Sequence, residues 1–165
     1  NVDVVVETAK LMQDEEDVHF HIFGDGMYKE RLQHEAEGLS NISFWPMQPS
    51  ELAPSIYAMA DVNVIPLAPN IYRTALPSKT ATCIACQKPI VMAIGKESVF
   101  GRKLSQVEAV KLVDSSNPVE VKEAISKLKN HEAYKDLSEF YKEHFVRSAN
   151  SERYKELITR RGINR

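Results

Sequence analysis

The chain has 165 residues, 43% of them hydrophobic and 27% charged, with a formal net charge of -2. That length builds one domain with a proper core, and the composition is ordinary for a soluble globular protein. The charge balance predicts no basic surface and excludes nucleic acid as an expected partner, and no apolar run approaches the ~18 residues of a membrane span.

The opening stretch NVDVVVETAKLM carries Val4, Val5, Ala9, Leu11 and Met12 at helical spacing. In DVHFHIFGDG, Val18, Phe20 and Ile22 alternate with His19, His21 and Phe23 before Gly24 and Gly26 break the run. That pattern predicts a strand ending in a tight loop. MYKERLQHEAEG reads as a polar helix closed by Gly38, and NISFWP as a short strand stopped by Pro46. PSELAPSIYAMA reads as a helix with Ser50 as its cap and Pro54 near its first turn. DVNVIPL is an apolar strand, and APNIYRTALP is a loop without periodicity. SKTATCIACQ predicts a helix with Ser78 at its N-cap, and KPIVMAI a buried strand. ESVFGRKLSQ reads as helix and AVKLVD as strand. NPVEVKEAISKLKN predicts a helix opened by Asn117 and Pro118, with Val121, Ala124, Ile125 and Leu128 as its core face. Two charged amphipathic helices follow, at about 131–145 and 150–162.

Strands alternating with helices predict an α/β fold, a parallel sheet with helices on both faces. Ligands bind such sheets at the carboxyl ends of the strands. Three loops leave those ends: GDG at 24–26, PMQPS at 46–50 and APNIYRTALPSK at 68–79. GDGMYK lacks the third glycine of a dinucleotide fingerprint, because Lys29 stands there, so the NAD-binding reading is rejected. What remains is a turn that either admits a ligand closely or is simply tight. No P-loop is present, and Ser78 does not sit in a GxSxG turn.

No metal site is expected. His19 and His21 share a strand face without an evident third ligand, while His34, His131 and His144 read as solvated surface on polar helices. Cys83 and Cys86 form a CxxC with no further ligands, which fits small apolar residues packing a helix in a reducing compartment.

The loop at 68–79 holds Tyr72, Arg73 and Lys79 and ends on a helix N-terminus. A lysine in that first turn is unfavourable by ~0.3–1 kcal/mol unless an anion sits nearby. Two readings fit: a phosphate or diphosphate site made of helix amides and two cations, or a solvated loop.

The succession FHIFGDGMYKERL, NISFWPMQPSELAPSIYAMADVNVIPL and TALPSKTATCIACQKPIV resembles the C-terminal half of GT-B glycosyltransferases. It is most similar to the family 4 retaining enzymes of bacterial capsule, exopolysaccharide and O-antigen synthesis. The resemblance spans residues 1–165 and implies one Rossmann-like domain that binds a nucleotide-diphosphate sugar, with no cofactor and no metal. By position it implies Ser78, Lys79 and Thr80 near the diphosphate, with Lys79 and Arg73 stabilising the leaving group. The family's paired glutamates fall on Thr74 and Thr82, and its glycine before KP falls on Gln87. Gly24, Gly26, Pro46 and Met47 would line the same cleft, the last two against the nucleobase.

The family's domain begins with a strand that this sequence does not show, and its acceptor domain is absent. The expectation is a piece of a longer cytoplasmic polypeptide, peripheral to the inner membrane face, with UDP- or GDP-sugar as donor and a saccharide or lipid-linked acceptor. Arg160, Arg161 and Arg165 face a second domain or a membrane in that reading, and solvent in the plainer one. A missing central strand would expose sheet edges and favour self-association. Two alternatives are a nucleotide-sugar epimerase half and a degenerate, non-catalytic binding domain.

Overall fold

The computed structural model describes residues 1–68, 77–93, 99–114, 116–130 and 135–162. Helix α1 (Asp3–Leu11) buries Val4, Val5, Val6, Thr8 and Ala9. Leu11 does not join this core and is 44% exposed; Met12, one position on, is fully buried instead. Positions 4, 5, 8, 9 and 12 form one helical stripe, and 11 lies off it. Thr8 enters the stripe because its hydroxyl donates to the Val4 carbonyl at 2.6 Å.

Strand β1 (Phe20–Phe23), helix α2 (Lys29–Glu35) and strand β2 (Ile42–Trp45) follow as the alternation predicts. Gly38 sits at φ +84° just beyond α2, a left-handed exit that glycine adopts without strain. Ser50 does not cap a helix. It starts a 3₁₀ turn (Ser50–Leu52) that leads into α3 (Ala53–Met59), and neither start has a side-chain cap. Pro54 lies in the first turn of α3, where a missing amide hydrogen removes no helical bond.

Strand β3 (Asn63–Ile65), helix α4 (Lys79–Ala85), strand β4 (Ile90–Met92), helix α5 (Val99–Leu104) and strand β5 (Val110–Leu112) continue the alternation. Helices α6 (Pro118–Leu128), α7 (Lys135–His144) and α8 (Arg147–Gly162) complete the described chain. Asn117 caps α6 as predicted, its Oδ1 accepting from the amides of Val119 at 3.1 Å and Glu120 at 3.3 Å. The predicted α6 core face, Val121, Ala124, Ile125 and Leu128, is buried.

All ladders among the described residues are parallel, with helices packed around them, a Rossmann-like α/β architecture. The strands form two sheets rather than one: β1 with β2, and β3-β4-β5. Among the described residues no ladder joins β1 to β3, so each keeps one unpaired edge. A common apolar cluster nevertheless spans both sheets. Phe20 of β1 and Val91 of β4 share it with Val5, Ala9, Val121 and Leu128 of α1 and α6. A second cluster joins Ile84, Ile90, Met92, Leu104 and Leu137 on the side of α4, α5 and α7.

Gln87 leaves α4 at φ +55°, the position where the family resemblance places glycine. A side chain in this left-handed region costs about 1–2 kcal/mol, and glycine's extra unfolded-state freedom offsets about 0.5–1 of that. Gln87 is exposed and its removal loses little packing. Gln87→Gly is therefore expected to raise stability by about 0.5–1 kcal/mol, seen as a higher urea midpoint at unchanged slope.

Candidate functional site

The carboxyl ends of β1 and β2 carry two loops that are tied together. Gly24, at φ +137°, turns the chain out of β1, and its amide donates to the Trp45 carbonyl at 3.2 Å. A Cβ placed on Gly24 would lie 3.9 Å from the Met47 methyl, so this turn and the 46–48 loop are in near contact. Asp25 fastens them. One carboxylate oxygen accepts from Lys29 Nζ at 2.6 Å and the other from the Met47 amide at 3.1 Å. Lys29 also reaches the Trp45 carbonyl at 3.4 Å, and the Gly26 carbonyl accepts from the Lys29 amide at 3.1 Å.

The Lys29 ammonium, and then the Met47 amide, hold the Asp25 carboxyl below its ordinary value. A lowered carboxylate value favours the folded state above the ordinary range, and this contribution is lost as pH falls below it. The structure thus brings Gly24, Gly26, Pro46 and Met47 to one rim. Asp25 and Lys29 organise that rim; in the sequence Lys29 stands out only as the residue that breaks a dinucleotide fingerprint, and Asp25 is given no role. Their signal was an Asp and a Lys four positions apart across a glycine turn, a spacing suited to an ion pair.

The second group sits at the start of α4. Ser78 holds the N-cap position, but its backbone is already helical (φ -56°, ψ -31°) and its hydroxyl makes no capping bond. Capping needs extended backbone there, which corrects the predicted cap. Lys79 follows on the surface, with no ion-pair or hydrogen-bond partner among the described residues. Thr80 is fully buried, its amide bonded to the Pro77 carbonyl at 3.0 Å and its hydroxyl without a partner among the described residues. Thr82 is half-buried. Arg73 and Thr74 lie outside the described residues, and no hydrogen bond among those described links the α4 group to the Gly24–Met47 rim.

The remaining candidates read as structure. Both cysteines are free. Burial pushes the Cys83 thiol up to about 12, with neighbouring Cys86 adding to the shift and Lys79 opposing it. A thiol so raised is inert at neutral pH. Cys86 donates to the Pro54 carbonyl at 3.4 Å. His34 is exposed as expected, whereas His144 is not solvated surface: its side chain is only 11% exposed and packs 4.4 Å from the Phe140 ring. It lies on the apolar side of α7, which the polar look of the sequence concealed. His131 falls outside the described residues. His19 and His21 do share a face, with ring centroids 4.7 Å apart. Among the described residues no three His, Cys, Asp or Glu side chains are grouped to hold a metal ion. No described helix is long and apolar enough to cross a membrane.

The candidate site therefore has two groups: a glycine-lined rim at the carboxyl ends of β1 and β2, and at the start of α4 an exposed lysine with no partner among the described residues. The family profile described as "Glycosyl transferases group 1" matches residues 1–131, which includes both groups and every described strand. No curated protein matches the chain. With the profile covering well over half its length, the chain belongs to the group 1 glycosyl transferases.

Proposed function

We propose that this domain is the donor-binding half of a retaining GT-B glycosyltransferase that uses a UDP- or GDP-sugar. The acceptor is a saccharide or lipid-linked saccharide of a cell-surface polysaccharide, such as capsule, exopolysaccharide or O-antigen, built at the cytoplasmic membrane face. The observation that carries this reading is Lys79, an exposed cation in the first turn of α4 with no partner among the described residues, within the family match.

In this mechanism the donor diphosphate lies against Ser78 and Lys79, with Arg73 beside it. The bond between the sugar's anomeric carbon and the diphosphate breaks, and the electron pair leaves with the phosphate. Lys79 stabilises that charge as it develops. The acceptor hydroxyl attacks from the same face and passes its proton to the leaving phosphate or to a base on the acceptor-binding half. Met47 and Pro46 cover the nucleobase, and Gly24 and Gly26 allow close approach. Thr74 and Thr82 supply neutral hydroxyls to the donor sugar and ribose, each roughly half as strong as a charge-assisted contact.

The unpaired edges of β1 and β3 support a larger domain plan. Both strands border the same apolar cluster, and one added parallel strand between them would join the two sheets. The same open edges favour self-association when that strand is missing.

Calorimetric titration with UDP, GDP and UDP-N-acetylglucosamine tests the reading, on this chain and on the full-length protein. Saturable binding with a preference among the nucleotides supports it. No binding by the full-length protein would overturn it. Binding without sugar transfer to any acceptor would instead favour a non-catalytic nucleotide-binding domain, a reading that the threonines at 74 and 82 make worth testing.

A further inference from the structure

One side of the β1–β2 ribbon carries a continuous ring cluster. His21 lies 4.7 Å from His19, 6.4 Å from Phe23 and 6.1 Å from Trp45, and Phe23 stacks on Trp45 at 6.0 Å. The Trp45 indole Nε1–H donates to His21 Nδ1 at 3.0 Å, and His19 Nε2 pairs with the Ser43 hydroxyl at 2.8 Å. An indole N–H only donates, so His21 Nδ1 accepts and the ring is neutral with its proton on Nε2. An imidazolium has donors on both nitrogens and no lone pair to offer. Trp45 is the last residue of β2. Its carbonyl holds the Gly24 amide and Lys29, and the chain continues into Pro46 and Met47.

We propose that His21 is a positioning residue: its hydrogen bond to Trp45 latches the Gly24–Met47 rim in place, and protonation of His21 opens the latch. The first half rests on geometry alone, and the effect on donor binding rests on the reading given under Proposed function. His21 is exposed at the ring cluster; the partial desolvation of its ring there, and then the positive charge that His19 can carry, hold it below the ordinary histidine value. The described rings against His21 are His19, Phe23 and Trp45, and the charged pair at the far end of Trp45 is Lys29 with Asp25. None of these places a carboxylate against the imidazole to favour its charged form. With the folded value lowered, the latch is intact above the ordinary histidine range and is lost as pH falls through the folded value.

Trp45 is the chain's single tryptophan, so its fluorescence reports the latch directly. Emission followed from pH 8 to pH 5 is expected to show one transition, centred below the ordinary histidine value of about 6.5. His21→Gln keeps an acceptor for the indole but does not titrate, so the transition should vanish. His19→Gln removes a competing positive charge, so the midpoint should move up. A transition unchanged in His21→Gln would overturn the latch.

The coupling is read by UDP affinity at pH 8 and pH 5.5. The wild type should weaken about threefold or more relative to His21→Gln, a difference that cancels the titration of UDP itself. Equal pH dependence in both proteins would overturn the positioning role. Absence of UDP binding to the full-length form of either protein, with the fluorescence transition of this chain intact, would overturn the donor-site reading while the latch stands.

Discussion

Lys79→Ala is expected to weaken UDP binding about 10- to 150-fold, the loss of one hydrogen bond to a charged group worth about 1.5–3 kcal/mol. Lys79 is exposed and has no ion-pair or hydrogen-bond partner among the described residues, so in the proposed reading no described ion pair has to break on binding. The same change should act on the free domain with the opposite sign. A cation in the first turn opposes the helix dipole, so its removal stabilises α4 by about 0.3–1 kcal/mol. Weaker binding together with an unchanged or higher urea midpoint would identify a residue held for function against its local preference. Calorimetry at two salt concentrations sharpens the test, because an exposed charge contact weakens with screening. Lys79→Arg should retain part of the affinity, since the charge remains while the point-like ammonium becomes a planar fork. Unchanged UDP affinity in Lys79→Ala would remove this lysine from the site.

Leu128→Ala is expected to destabilise the protein by about 2–5 kcal/mol, read from urea unfolding. Leu128 is 1% exposed at the end of α6, in the cluster that α1 and α6 share with β1 and β4. The loss is a large fraction of the 5–15 kcal/mol typical of a whole domain, roughly the difference between a folded and a partly unfolded population at 37 °C. No ladder holds the two sheets together among the described residues, and this cluster spans both. Truncation should therefore lower the midpoint seen by Trp45 on β2 as well as that seen by circular dichroism. A transition at Trp45 that stays in place would mean that β1 and β2 unfold independently.

The order of helices and strands was legible because each element carries its own period. The α6 cap at Asn117 and its stripe of Val121, Ala124, Ile125 and Leu128 could be read directly, and so could the continuous apolar run of β4. The neighbours of a strand are not written in its period. The split between β1–β2 and β3-β4-β5 therefore emerged only in three dimensions. Caps were less legible. Serine marks a helix start without fixing the backbone in which its hydroxyl can reach an amide, and Ser50 and Ser78 both lack that bond. At the candidate site, glycines and a lysine stood out by type. The work of Asp25 and His21 depends on Met47 and Trp45, more than twenty positions away. His144 shows the converse, a polar residue buried because a ring beside it supplies the packing.

The sheet pattern also bears on how the chain acquires its structure. Phe20 pairs with Ile42, Asn63 with Ile90 and Ile90 with Val110, so every described ladder closes a segment of about twenty residues or more. There is no hairpin among them to nucleate a sheet locally. Each pairing must wait for an intervening helix to form and fold back, and the entropy of closing that loop is lost before any ladder bond is gained. Until that happens the apolar strands are exposed, β4 above all, and a newly made chain spends its most aggregation-prone interval before its first ladder closes.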